Sequence, residues 1–208
     1  MTKTRTPAKS EAAPSAPANP TPENAQPPVA DLPREVVLME ATAAKVGELR
    51  AAQKSAIEEL EAAEEAAETT SDDTTLGKVH LLAKRVARLS AEREQDEEAL
   101  RLLIVTAHAI LIRLAQRVVR YRIAALCGEH ATILEQRAVF NSTNRGGQWR
   151  AYFFERLNVI DAANYAVNAR MVIDAERLSE SIRETLADLE EAKADLGHEP
   201  RDADLRLI

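Results

Sequence analysis

The sequence predicts an all-α protein in which three long helices form an antiparallel coiled-coil-like bundle after a disordered N-terminal tail. The chain of 208 residues is rich in Ala, Glu, Leu and Arg, with only 6 Gly and 3% aromatic residues, a composition typical of long helices. Apolar residues recur at steps of three and four over long stretches, which is helical periodicity. No run of Val, Ile and Thr bounded by turn residues indicates a strand.

Residues 1–30 form the predicted tail. They contain all the prolines of the chain except Pro33 and Pro200, and they contain no aromatic residue. Such a segment has too little apolar surface to offset the conformational entropy lost on ordering. We therefore divide the chain into a disordered tail (residues 1–30), a helical bundle (31–197) and a short acidic C-terminal tail (198–208).

The first helix is expected from Leu32 or Pro33 to about Thr69, with Asp31 as its N-cap. The polar turn that follows is short, so the second helix should lie antiparallel beside the first. We expect that helix from about Thr74 to Cys127, with a weakened continuation through residues 131–140.

The clearest loop of the sequence spans residues 141–147 and contains two adjacent glycines. A third helix is expected after it, from about Gln148 to Leu196. Gly197 is suited to end that helix, because glycine adopts the left-handed conformation common just after helix C-termini.

The stretch from Leu100 to Leu126 is the densest apolar run in the chain. A membrane span is one alternative, and an amphipathic helix that opens onto an apolar surface is another. A span needs about 20 nearly uncharged residues, and arginines interrupt this stretch, so we expect a core helix and no transmembrane segment. The interrupting residues are Arg101, Arg113, Arg117, Arg120 and Arg122.

Helix lengths predict self-association. At about 1.5 Å per residue, three antiparallel helices would overlap only near residues 93–109, which leaves the following residues with one covering helix. Large exposed apolar surfaces are unusual in monomers. We therefore expect a homo-oligomer whose interface contains Ile110, Leu111, Leu114 and Val118.

Six of the seven aromatic residues lie between Phe140 and Tyr165, around the Gly-Gly loop. Arginines are interleaved with them, and aromatic side chains with arginine are favoured at protein interfaces. The alternatives are a packing plug that closes the end of the helical hairpin and a surface that stacks on nucleic-acid bases. The predicted partner-binding tip consists of Phe140, Arg145, Trp149, Arg150, Tyr152 and Phe153.

The net charge of −7 is unevenly distributed. Residues 101–150 carry eight basic side chains against two acidic ones, whereas both flanking regions are acidic. Arg113, Arg117 and Arg120 share one helix face. This face is either a phosphate-binding stripe or a partner for the acidic third helix.

Reactive side chains are few. The single Cys127 permits no internal disulfide and fits a reducing compartment, and no secretory signal is evident; we expect a cytoplasmic location or one within a phage particle. Cys127 and His130 could form a catalytic pair, but ordinary packing is the favoured interpretation. His108 is expected to be a hydrogen-bonded core histidine. We predict no metal site, no cofactor and no enzymatic activity.

The sequence thus favours a non-enzymatic structural, assembly or adaptor protein. It would self-associate through its helices and contact a protein partner through the hairpin tip. The alternative is a nucleic-acid-binding accessory protein that uses the basic middle segment and the Arg-aromatic tip.

Overall fold

The computed structural model describes residues 31–70, 72–127, 132–142, 146–160 and 170–199. This part of the chain is 91% helical and contains no strand, so the all-α class is confirmed. The predicted disordered tail and the last nine residues lie outside the described residues. The five helices are α1 (Arg34–Thr70), α2 (Asp73–Cys127), α3 (Ile133–Asn141), α4 (Gly146–Leu157) and α5 (Met171–Leu196).

α1 and α2 form an antiparallel hairpin. Lys45 Nζ in α1 lies 2.8 Å from Asp96 Oδ2 in α2, and Glu59 Oε2 lies 3.1 Å from Arg85 Nη1. Rising residue numbers in α1 therefore meet falling numbers in α2. At about 1.5 Å per residue, α1 is about 55 Å long and α2 is about 80 Å long.

Asp72 connects the two helices and stabilises the beginning of α2. Its backbone carbonyl accepts hydrogen bonds from the N–H groups of Thr75 and Leu76. Its side-chain carboxylate accepts the Thr74 hydroxyl at 2.6 Å. This hydrogen bond lowers the pKa of Asp72, because it favours the ionised carboxylate.

α2 is not continuous with the next helix in the described residues. It ends at Cys127, and α3 begins at Ile133 after a capping box at Thr132. The Thr132 hydroxyl accepts the backbone N–H of Glu135, while the Glu135 carboxylate accepts the backbone N–H of Thr132. The predicted weakened continuation is therefore wrong, because a capping box begins a separate helix.

The predicted third helix is divided into α4 and α5, with residues 161–169 outside the described part. α4 runs antiparallel to α2: Tyr152 lies beside Arg122, and the Leu157 carbonyl lies 3.1 Å from His108 Nε2. The Gly197 prediction is confirmed. Gly197 adopts φ +75° and donates its N–H to the Lys193 carbonyl at the end of α5.

α5 runs antiparallel to α1 and in the same direction as α2. In its first half, Ser179 and Arg183 both donate to the Glu40 carboxylate of α1. Nearer its end, Glu191 lies 3.4 Å from Arg122, close to the end of α2. The expected antiparallel three-helix arrangement is therefore not confirmed. α4 takes the antiparallel return path, and the chain reverses again before α5.

Two apolar clusters form the core. The larger one joins the first half of α1, the middle of α2 and α5, and it contains Met39, Leu100, Leu111, Leu178 and Ile182. The smaller cluster lies where α3 and α4 pack on the last turns of α2. Its buried members are Ala115, Val119, Ile123, Phe140 and Phe153.

The residues predicted at an oligomer interface lie in this intramolecular core. Leu111 and Val118 are 0% exposed and Leu114 is 8% exposed, while Ile110 is partly buried against the larger cluster. The expectation that this segment has one covering helix is wrong, because α4 and α5 both pack on it. These side chains need no second copy to cover them. Self-association itself stays a prediction.

Candidate functional site

The α1–α2 hairpin has two regions that share one apolar pattern. We call residues 34–50 of α1 and 94–127 of α2, with α3, α4 and α5, the body. Residues 51–70 and 73–93 form the arm. An unbroken three-four alternation, here called the core stripe, runs along both helices through body and arm. Its positions are 36, 39, 43, 46, 50, 53, 57, 60, 64 and 67 in α1, and 76, 79, 83, 86, 90, 93, 97, 100, 104 and 107 in α2.

A polar layer interrupts the core stripe between body and arm. Glu97, only 5% exposed, accepts two hydrogen bonds from the Arg50 guanidinium, at 2.8 and 3.0 Å. Gln53 donates to Ser90 at 2.7 Å and accepts from Arg93 at 2.6 Å. Polar groups that bind one another between two helices in this way fix helix register. Arg93, which the sequence marks as a break in the apolar pattern, is one of them.

Beyond the polar layer, the core stripe is apolar again except at Glu64, and part of it is exposed. In the arm, Leu76 is 54% exposed and Ile57 is 36% exposed. In the body, Val36 lies three heptads before Ile57 and Ile104 lies four heptads after Leu76. These two side chains are 0% and 1% exposed, because they belong to the apolar cluster that α5 completes. The arm therefore has an apolar face without a third helix from the described part of the chain.

The opposite face of the body also exposes apolar side chains. Glu59 and Arg85 form an ion pair on one side of the hairpin. Leu38 precedes Glu59 by three heptads, and Thr106 follows Arg85 by three heptads. Leu38 and Thr106 therefore lie on the same side of the hairpin as this ion pair. Leu102 precedes Thr106 by about one turn. We call this surface the outer face of the body; its large apolar residues are Val37, Leu38, Leu102 and Val105, which are 49%, 45%, 62% and 50% exposed.

The arginines near the C-terminal end of α2 differ in whether they form ion pairs. Arg122 binds Glu191 of α5 and lies over the Tyr152 ring. Arg113 and Arg117, in contrast, are exposed, and neither forms an ion pair with another described residue. The acidic α5 thus pairs with the end of this basic segment and leaves these two arginines to solvent.

The predicted partner-binding tip is largely internal. Phe140 is 6% exposed and Phe153 is 0% exposed, and both belong to the smaller core cluster, against which Trp149 and Tyr152 pack. This arrangement favours the packing-plug alternative for these four side chains. Arg145 lies outside the described residues.

The exposed part of the tip is smaller than the sequence suggests. Arg150 lies with its guanidinium carbon 5.7 Å from the centroid of the Phe154 ring, and Phe154 is 41% exposed. Leu134 on α3 is 77% exposed. Whether this surface binds a partner stays a prediction.

Tyr152 links α4 to α5 through a hydrogen bond. Its hydroxyl donates to Asp188 at 2.7 Å, and the Arg156 guanidinium lies 5.2 Å from its ring centroid. The Arg156 guanidinium also donates hydrogen bonds to Glu184 at 2.7 Å and to Ser181 at 3.0 Å. Burial and the Asp188 carboxylate raise the pKa of Tyr152 to about 12, because both disfavour the phenolate. The network is a structural joint between helices.

The candidate reactive groups have structural environments. Cys127 is partly buried beside the smaller cluster, and burial raises the pKa of its thiol, which reduces nucleophilicity at neutral pH; His130 lies outside the described residues. His108 of α2 forms the predicted hydrogen bond, to the Leu157 carbonyl at the end of α4, but its side chain is only partly buried. Among the described residues, no group of three His, Cys, Asp or Glu side chains could hold a metal ion.

The outer face of the body is the feature that sequence reasoning missed. A signal for it exists, because Leu102 follows Leu81 by three heptads and both fall outside the core stripe. In a run that is apolar on several sides, such a residue cannot be distinguished from a core residue until the neighbouring helices are placed.

No protein-family model, curated protein or solved structure matches the chain. By length and composition alone, α2 contains a segment apolar enough to cross a membrane, of which 39% is buried within the protein. A core helix of a soluble protein passes the same criteria, so this property alone discriminates little.

Proposed function

We propose that this chain is a non-enzymatic structural, assembly or adaptor protein that acts through helix–helix association with itself and with a protein partner. One observation carries the proposal: the α1–α2 hairpin exposes large apolar side chains on two separate faces. The arm exposes Leu76 and Ile57 on the core stripe, and the body exposes Leu38, Leu102 and Val105 on its outer face.

The free energy gained by burying exposed apolar surface supports this proposal. Burying apolar surface contributes about 25 cal/mol per Å², and contiguous exposed patches on soluble proteins commonly mark interaction sites. The arm is also a two-helix element with few buried residues, Ala56, Ala63, Leu82 and Leu89 among them. A further helix packed against it would bury the free part of the core stripe in the same way that α5 does in the body.

The test is the absolute molar mass of the full chain by light scattering, with absorbance at 260 and 280 nm recorded across the same peak. We expect a discrete multiple of 22.9 kDa without excess absorbance at 260 nm. A monomer over a wide concentration range, which also captures no protein partner in crosslinking from its own host, would refute the proposal.

A second candidate function is nucleic-acid binding, and the exposed Arg113 and Arg117 favour it. Binding through such residues should weaken steeply as salt rises, because it releases counterions from the phosphates. Affinity for single- or double-stranded DNA and RNA, measured at two salt concentrations, tests this alternative. The double variant Arg113→Glu with Arg117→Glu should abolish binding, whereas Arg88→Glu on the arm should leave most of it.

A further inference from the structure

We infer that the outer face of the body is a twofold interface between two copies of this chain, in which the two α2 helices cross antiparallel at Leu102. The inference rests on the proposed self-association and assigns it to a surface. It also differs from the sequence prediction, which placed the interface at side chains that the structure buries within one chain.

The residues along one row of α2 allow two α2 helices to pack closely at Leu102. Ala99, Thr106 and Arg113 are separated by sevens and therefore lie in one row, beside Leu102, and Glu92 continues this row into the adjoining end of the arm. Ala99 and Thr106 are small and flank Leu102 by about one turn on each side. Small residues beside a large apolar one allow a second helix to approach closely while Leu102 packs against it.

The charge pattern of this row is self-complementary under twofold symmetry. A twofold axis midway between Ala99 and Thr106 brings Ala99 of one copy opposite Thr106 of the other. The same operation brings Glu92 opposite Arg113, and a C2 interface forms every such contact twice. A parallel arrangement would not pair these charges, so the pattern selects the antiparallel one.

The available charges are suited to this role. Arg113 is exposed and has no ion pair among the described residues. The Glu92 side chain is 51% exposed, lies 3.5 Å from Arg88 on its own helix and also interacts electrostatically with Lys45 of α1. Both side chains are therefore free to change partners on association, because exposed pairs of this kind are weak.

The neighbouring row of α2 is also compatible with the axis. It contains Arg88, Gln95, Leu102, Ala109 and Gln116, again separated by sevens. The axis midway between Ala99 and Thr106 lies half a residue beyond Leu102, so it sets this leucine beside its own copy and Gln95 near Ala109. Neither of these two pairs brings like charges together. On the adjacent helix, Leu38 extends the apolar centre of the interface.

The first test compares two leucines on the same side of α2. Leu102→Glu places a charge at the proposed axis, whereas Leu81→Glu is a matched control three heptads away in the arm, at a side chain that is 69% exposed. We expect the wild type and Leu81→Glu to be dimers by sedimentation equilibrium, and Leu102→Glu to be a monomer with unchanged helicity by circular dichroism.

The second test is a charge exchange between copies. Arg113→Glu and Glu92→Arg should each weaken the dimer at least about tenfold, because each homodimer then contains two like-charge pairs. An equimolar mixture of the two variants should regain an affinity within about threefold of the wild type, since each mixed dimer has two opposite-charge pairs. Recovery in the mixture is specific to contact between these two positions in different chains.

The outcomes separate the inference from the proposed function. If the wild type is oligomeric but Leu81→Glu dissociates it and Leu102→Glu does not, the arm is the interface and the inference is wrong, while the assembly function stands. The same holds if mixing the charge variants recovers nothing. A wild type that is monomeric at every concentration overturns the inference, and the proposed function then depends on the protein partner alone.

Discussion

The body and the arm are built on the same two helices and carry the same three-four pattern, yet they differ in burial. Ile104 and Leu76 occupy equivalent positions of the core stripe in α2, four heptads apart, but Ile104 is 1% exposed and Leu76 is 54% exposed. The difference arises from α5, whose Met171 packs in the body core. A heptad pattern thus specifies which face of a helix is apolar, whereas the third element decides whether that face is buried.

The polar layer lies at the boundary between the two regions. Arg50, Gln53, Ser90, Arg93 and Glu97 contact one another where the core stripe passes from body to arm. A slip of α1 along α2 would separate Arg50 from Glu97 and leave this buried carboxylate with only the 3.6 Å contact to Arg93 on its own helix. The layer therefore fixes the register of the hairpin for the exposed arm as well as for the covered body.

The largest expected effect compares equivalent positions in the two regions. Ile104→Ala should lower the free energy of unfolding by about 2–5 kcal/mol, because it leaves a cavity in a close-packed core. Leu76→Ala should change it by less than about 0.5 kcal/mol, as expected for an exposed position. Urea unfolding followed by circular dichroism measures both values.

A dilution series tests whether a second copy of the chain covers the exposed face of the arm. If Leu76→Ala destabilises the protein strongly only at high protein concentration, a partner copy covers the arm. If it does so at every concentration, another part of the same chain covers it, and the distinction between body and arm is incorrect.

The next largest change in the free energy of unfolding is expected in the polar layer. Arg50→Met removes two charge-assisted hydrogen bonds from the buried Glu97, and Arg93 Nε, 3.6 Å from the same carboxylate, compensates only in part. We expect a loss of about 1–3 kcal/mol in the free energy of unfolding. The matched control is Arg88→Met, whose exposed contact to Glu92 should contribute less than about 1 kcal/mol. Equal effects of the two variants would show that the layer contributes no more than a surface ion pair.

The sequence predicted the helical hairpin well, because local signals at both its ends are strong. The predicted first helix ends within about one residue of the observed Thr70, and the second begins within about one residue of Asp73. Gly197 ends the last helix with the expected positive φ. Each of these features depends on residues that are neighbours in sequence.

The sequence did not predict how the chain returns along α2. The capping box of Thr132 and Glu135 was present as a local signal and was overlooked. The direction of α5, in contrast, depends on contacts between distant residues, such as Glu40 with Arg183. Helical periodicity contains no information about that direction, so the covered and exposed faces of α2 could not be distinguished.

The smallest expected effect concerns the joint that holds α4 on α5. Tyr152→Phe removes the hydrogen bond to Asp188 and should cost about 0.5–1.5 kcal/mol at pH 7. Tyr121→Phe is the matched control, because Tyr121 is 5% exposed and its hydroxyl has no hydrogen bond to another described residue. We expect this control to change stability little.

The pH dependence of stability distinguishes this hydrogen bond from simple packing. The folded protein holds the Tyr152 proton with a pKa of about 12, against an ordinary value of 10.0. Between these values the folded state binds more protons at Tyr152 than the unfolded state, so the stability that this hydroxyl contributes is fully present below pH 10 and is lost as pH rises toward 12. Tyr152→Phe should make the decrease over this interval shallower, whereas Tyr121→Phe should not reproduce that change. Parallel curves for wild type and Tyr152→Phe would mean that the hydroxyl is solvated rather than bound to Asp188, and that apolar packing and the hydrogen bonds of Arg156 join α4 to α5 without it.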